Sequence, residues 1–221
     1  MNVSEAVAAR RSVRGYLDRP VDRAVLEMIV RKAGRAATGG NLQPWHIDVI
    51  VGQPLVDLKA KMMAKLASGQ KEEPAYAIYP DKLTGPYRDR RFAIGEAMYR
   101  EIGIPREDKA GRMSWFARNF QFFGAPAALF CTVDRQMGPP QWADLGMYLQ
   151  NVMLLAVEAG LATCAQECWA MYPDTITSFL GTPRERMLFC GMAIGYEDTE
   201  EPANRVRSER APDEEWLTIR A

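Results

Sequence analysis

Along "VDRAVLEMIVRKAGRAA" the apolar side chains fall at Val25, Leu26, Ile29, Val30 and Ala33, a helical spacing with Asp22 placed as N-cap. "HIDVIV" then alternates, with Ile47, Val49 and Val51 on one face, and predicts a strand. "PLVDLKAKMMAKLA" returns to helical spacing, and from about 68 to 86 the chain turns polar and proline-bearing, an irregular excursion. Two further helices are expected over about 88–103 and 107–123. The second is rich in aromatics: Trp115, Phe116, Phe120, Phe122 and Phe123. "AALFCTV" and "MLFCGMAIGY" are compact apolar runs of the kind buried on both faces of a sheet. Between them "WADLGMYLQNVMLLAVEAGL" predicts a long central helix closed by Gly160. The N-terminal "MNVSEAVAARRSV" reads as the start of a short amphipathic helix, and the polar tail ends in "EEWLTIRA", whose Trp216, Leu217 and Ile219 could pack on their own chain or cross to a partner. Interleaved strands and helices, with no repeat and no linker, indicate a layered α+β or α/β protein.

Composition narrows the classes. With 221 residues and 48% hydrophobic content, the chain suits one compact domain, 1–221, carrying a variable excursion at about 68–123. Lys plus Arg is 28 and Asp plus Glu is 28, so no global field draws the protein to nucleic acid or a membrane. No apolar run approaches the roughly 20 residues of a membrane span. Cys131, Cys164, Cys168 and Cys190 form no C-x-x-C pair and are expected as free thiols of a cytoplasmic protein. His46 is the single histidine, so no metal site is expected. A nucleophile-and-base pair would rest on His46 alone, and neither a P-loop nor a G-x-G-x-x-G follows a strand. If this is an enzyme, a bound cofactor could supply the reactivity, with the protein providing binding, orientation and electrostatics.

Four stretches could seat one. In "RRSVR", Arg10, Ser12 and Arg14 would share a face if extended, offering forked donors and a hydroxyl to a phosphate; a solvated turn is the alternative. "AATGGNLQPWHI" brings Gly39, Gly40, Asn41 and Gln43, suited to backbone approach and to a heterocycle edge, or else to an ordinary helix-to-strand loop. "ATCAQECWAMYP" places Gln166, Glu167 and Cys168 in a short polar stretch between apolar elements. "ANRVRSERAP" carries Arg205, Arg207 and Arg210, which either complete a phosphate site or form an exposed tail.

Taken in this order, "RRSVR", "GGNLQPW", "GLATCAQECW" and "GMAIGY" followed by "NRVR" resemble the nitroreductase family of flavin enzymes, in the style of its nitrobenzoate and nitroaromatic reductases. The resemblance spans nearly the whole chain. It implies an α+β fold with a mixed central sheet, completed by the C-terminal strand of the partner in a homodimer with two FMN at the interface. It implies that Arg10, Ser12, Arg205 and Arg207 hold the ribityl phosphate, that Arg11 lines the flavin and that Arg14 approaches its N1/O2 edge. Thr38, Gly39 and Asn41 would reach the flavin of the other subunit, and the stretch Gln166, Glu167 and Cys168 would aim a backbone N–H at flavin N5. This chain departs from many relatives at Ala37-Thr38, where they have Pro-Ser, and at Cys168, where some have glycine. The implied reaction is ping-pong: NADH or NADPH, then a nitroaromatic acceptor, exchange hydride at one flavin face, without a catalytic side chain. Two alternatives stay open. One is a same-fold flavoenzyme with another acceptor or reaction (quinone or enone reduction, reductive dehalogenation, flavin fragmentation), and the other is a non-enzymatic flavin-binding protein.

Overall fold

A computed structural model describes residues 1–220. Seven α-helices are found among them: α1 (Val3–Ala9), α2 (Arg23–Ala33), α3 (Gln53–Ala67), α4 (Gly85–Glu101), α5 (Lys109–Ala117), α6 (Pro139–Glu158) and α7 (Pro173–Leu180). Four strands, β1 (Trp45–Val51), β2 (Ala127–Asp134), β3 (Ala162–Gln166) and β4 (Arg186–Gly195), form one sheet in the order β1-β2-β4-β3. All three pairings among these strands are antiparallel; the mixed sheet that the resemblance implies counts a further strand from a partner. The single parallel contact is an isolated bridge between Ser12 and Thr163 on the free edge of β3. The polar, small-residue run "ATCAQ" gives no alternation to read, which is why β3 was not anticipated.

β2 organises both layers. Ala127, Leu129, Cys131 and Val133 face one core with α2 and α6, while Ala128 and Phe130 face the other with α3 and the 115–123 aromatics. Period-two alternation with apolar residues on both faces is the signature of a strand buried on both sides. Asp22 caps α2 as expected, accepting from the Ala24 N–H at 2.8 Å, and Gly160 closes α6 at φ 73°. At the edge strand β1, Ile50 is the buried residue and Val49 is exposed, so the predicted Ile47–Val49–Val51 face is only partly covered.

The aromatic stretch is not one helix. α5 stops at Ala117, and a 3₁₀ segment follows in which Phe122 and Phe123 take φ 50° and 54°. Left-handed backbone at bulky residues costs on the order of 1–3 kcal/mol each and persists only where packing over-determines it. Both rings are buried here: Phe122 stacks on Trp169 with centroids 4.6 Å apart. The tail has a short 3₁₀ turn at Asp213–Glu215 and no strand after it, leaving Trp216, Leu217 and Ile219 exposed.

The excursion beginning at 68 is irregular, yet pinned. β4 carries one extra residue, Phe189, where the pairing steps from Cys131–Cys190 to Thr132–Leu188. Such a bulge frees a carbonyl from the ladder, and the Tyr76 hydroxyl donates to the Phe189 oxygen. Glu72 sits at the start of α7, accepting from the N–H groups of Asp174 (2.8 Å) and Thr175 (3.1 Å), from the Thr175 hydroxyl, and from Lys65 (3.1 Å). Burial alone would push the Glu72 carboxyl up, but the hydrogen bonds from Thr175, Lys65 and Asp174 together hold it below its ordinary value. Because the folded-state pKa is depressed, this contribution is fully present above the unfolded value, about 4.3, and disappears as pH falls through the folded value. Glu72→Gln is therefore expected to cost about 1.5–3 kcal/mol at pH 7. In urea titrations the gap from wild type should close steadily below about pH 4.3; a gap that does not change with pH would refute the ionic role.

Candidate active site

The N-terminal segment after α1 has no strand of its own. The Val13 N–H donates to the Thr163 carbonyl at 3.0 Å, and the Leu17 N–H to Tyr196 at 2.9 Å, clipping residues 12–17 between β3 and the end of β4. Asn204, 4% exposed, locks the same segment from the other side: its Oδ1 accepts from the Arg14 N–H at 2.6 Å, and its amide donates to the Gly15 carbonyl at 2.9 Å. The two distant motifs, "RRSVR" and "NRVR", are thereby brought together.

They enclose a cavity of about 560 Å³ whose lining includes Arg10, Arg11, Arg14, Arg207 and Arg210 together with Ser12, and no carboxylate. Arg11 is held by an ion pair with Glu197, while its Nε is buried without a partner. Arg207 donates to the Asn204 carbonyl at 2.7 Å. Five arginines with the hydroxyls of Ser12 and Ser208 offer a seat for an anion, with forked donors suited to phosphate oxygens. Arg205 is not part of it. It ends a 3₁₀ turn, Pro202–Arg205, and its guanidinium lies 3.8 Å from Glu101 of α4. Alternate residues share a face only in extended chain, and that begins at Val206. Arg210, the third arginine of the same motif, lines the cavity instead.

The Gln166–Cys168 stretch lines a second cavity of about 490 Å³ with Tyr79, Arg91 and Phe116. A cavity between the two shares Ser208, Arg210 and Ile94 with the first, and Tyr79 and Arg91 with the second. One groove therefore leads along α4 from the arginine seat to the 166–168 turn. The contributions of Ile94, Tyr79 and Arg91 leave no signal in sequence, because α4 and the segment before it lack any apolar stripe.

The turn itself is rigidly backed. The Gln166 amide donates to the Asn119 carbonyl at 2.8 Å, and its oxygen faces Trp169 Nε1 at 3.4 Å, so this side chain is engaged internally. Trp169 is fully buried, edge-on to Phe120 and Phe130 at 5.2 and 5.1 Å. Glu167 and Cys168 lie between these two anchored neighbours. Burial pushes the Glu167 carboxyl up, and pushes the Cys168 thiol far above its ordinary range. A thiol held protonated is a poor nucleophile.

Thr38, Gly39 and Asn41 are not brought to this groove. Their 3₁₀ turn, Gly39–Asn41, stands beside α6, where the Gly39 N–H reaches the Asp144 carboxylate at 3.3 Å. Asn41 and Gln43 hold positive φ (58° and 48°), and Asn41 is exposed. Its Thr38 hydroxyl accepts from the Gln43 N–H at 3.3 Å, fixing the loop.

Comparison with known proteins points the same way. The family profile described as "Nitroreductase family" matches residues 7–196. The chain is 36% identical over 204 residues to the 4-nitrobenzoate reductase of Pseudomonas putida, covering 92% of this chain and 89% of that protein. It is 33% identical over 225 residues to the nitrobenzene nitroreductase of Ectopseudomonas oleovorans, covering 98% and 96% respectively. The crystal structure of the FMN and NADPH-dependent nitroreductase NfnB from Sphigopyxis sp. strain HMH superposes with TM-score 0.96 at 49% identity, over 100% of both chains.

A Cβ on Gly191 would lie 2.3 Å from Trp169 Cδ1, a contact that a caged indole cannot relieve by a rotamer change. Gly191→Ala is expected to lower stability by about 1–3 kcal/mol. Equilibrium unfolding should show that loss, and a variant as stable as wild type would mean the cage yields.

Proposed function

The chain belongs to the nitroreductase family, and on that premise we propose that it is an FMN-dependent oxidoreductase using NAD(P)H to reduce nitroaromatic compounds. One observation carries the reading: a carboxylate-free cavity lined by five arginines, joined by one groove to the 166–168 turn. The residues fit FMN. The arginines and Ser12 match a phosphate monoester, the orphaned Arg11 Nε is a buried donor needing an acceptor, and the groove extends far enough along α4 to take an elongated ligand.

Arg10, Ser12 and Arg207, with Arg210, hold the phosphate. Arg11, oriented by Glu197, borders the ring system, and Arg14 stands as the cation for its N1/O2 edge. Gln166 positions the turn whose Glu167 and Cys168 backbone would meet the flavin ring. Bound FMN supplies hydride exchange between the nicotinamide and the acceptor. The protein binds, orients and excludes water. Overall, NAD(P)H gives a hydride and solvent a proton, one nitro oxygen leaves as water, and the nitroso product is reduced again to the hydroxylamine.

The reading includes a homodimer with two FMN at its interface. β1 has a free edge, the tail leaves Trp216, Leu217 and Ile219 without a strand partner, and apolar Val3, Val7, Leu42 and Met147 face solvent in the single chain. Thr38, Gly39 and Asn41 lie off the groove of their own chain, so their contact with a flavin requires a second copy. Four unpaired cysteines suit a reducing, cytoplasmic setting.

Purified protein is expected to be yellow, to bleach on anaerobic addition of NADPH or NADH, and to recover its colour when a nitroarene is added. A protein that fails to take up FMN, or whose bound FMN neither nicotinamide bleaches, overturns this function. Arg10→Ala removes one charge-assisted contact of about 1.5–3 kcal/mol, so the FMN dissociation constant should rise about tenfold or more while the circular dichroism melt is retained. Sedimentation velocity should give a dimer; a monomer that keeps its FMN would remove the two-chain site.

A further inference from the structure

We propose that Arg91 is a specificity-determining residue whose guanidinium, laid against Tyr79 in the cavity of the 166–168 turn, binds the carboxylate of anionic nitroarenes. The inference rests on the nitroreductase reading above and names the acceptor class of that site.

Tyr79 and Arg91 line the same cavity as Gln166, Glu167 and Cys168, with Phe116 and Met171 supplying apolar wall. Arg91 Cζ lies 3.9 Å from the centroid of the Tyr79 ring. Stacking of this kind occupies the flat face of a guanidinium and leaves its N–H donors free in the plane, as bidentate carboxylate binding requires. Neighbouring arginines are already committed to carboxylates: Arg90 to Glu215, Arg112 to Glu96 at 2.6 Å, and Arg118 to Glu201 at 2.9 Å. Arg91 pairs with none among the described residues. The tyrosine covers one face of the cation, and no carboxylate among the described residues pairs with it.

The cavity contains one carboxylate, that of Glu167 on the turn itself. A ligand with one anionic end is therefore repelled at the turn and drawn toward α4. For a nitrobenzoate this orients the uncharged nitro group toward the turn and the carboxylate toward Arg91. A neutral nitroarene of the same shape receives neither force. The same guanidinium could instead meet a phosphate of NADPH, so the acceptor and the reductant must be tested apart.

The experiment uses the FMN-loaded protein. Without reductant, the oxidised holoenzyme is titrated with 4-nitrobenzoate and with its neutral counterpart 4-nitrobenzamide, following the flavin absorbance. In wild type, Arg91→Lys and Arg91→Ala, the ratio of the two dissociation constants is the readout. Loss of a bidentate charged contact in Arg91→Ala should move that ratio against the acid by about tenfold or more, with Arg91→Lys in between. The ratio of kcat/KM values for the two acceptors should move in parallel. Equal weakening of acid and amide would make Arg91 a packing residue and overturn the proposal. A loss confined to the reductive half-reaction with NADPH, and absent with NADH, would assign the guanidinium to the reductant and also overturn it. Failure of wild type to reduce either acceptor overturns the nitroreductase reading and this inference with it, whereas turnover of both with an unmoved ratio overturns this inference alone.

Discussion

Two backbone clips at the sheet edge, Ser12 against Thr163 and Tyr16 against Glu197, hold the segment that brings Arg10, Arg11 and Arg14 to one cavity. Three arginines within five residues would repel one another and scatter in solvent if their chain were free. Held along β3, with Val13 buried beneath them and Asn204 locking Arg14 and Gly15, they are forced to share a cavity. Glu197 relieves part of that crowding by taking one Arg11 nitrogen. What remains is a site organised before its ligand arrives, since the repulsion has been overcome by backbone pairing and a buried amide.

A second layer of constraint supports the turn beyond Gln166. Phe122 and Phe123 hold backbone angles that bulky residues avoid, and the aromatic packing that sustains them is the packing that cages Trp169. Strain in one segment and immobility in the next are two aspects of the same contacts. The polar excursion is tied in by different means. Glu72 and Tyr76 fasten it to α7 and to the bulge of β4, so its irregular backbone keeps a definite path past the groove.

How much was legible in the sequence follows from where each signal resides. Asp22, the alternating run 127–134 and the apolar period of α6 are local patterns, and each produced its element. β3 carries small and polar residues on a sheet edge, so no periodicity announced it. The break at Ala117 depends on left-handed phenylalanines that only tertiary packing permits. That Arg10, Arg11, Ser12, Arg14 and Arg207 line one cavity was legible because the motifs at both ends of the chain carry the same arginine-rich chemistry. Arg205 went astray because a turn, invisible in its alternating spacing, rotates it toward Glu101. The resemblance supplied the fold, but strand direction belongs to the pairing itself, and here the strands pair antiparallel throughout.

α4 buries none of its residues, yet it forms the long wall of the groove. A helix without a buried face draws little stability from packing and sits at the low end of the local unfolding scale. It is held by Met98 and Tyr99, partly buried against the core, and by ion pairs such as Arg112 with Glu96 and Arg205 with Glu101. The groove thus has one side built on the sheet and one side built on a helix that packs only at partly buried positions. A ligand lodged in the groove would therefore press against the loosely packed wall of α4 before it met the core.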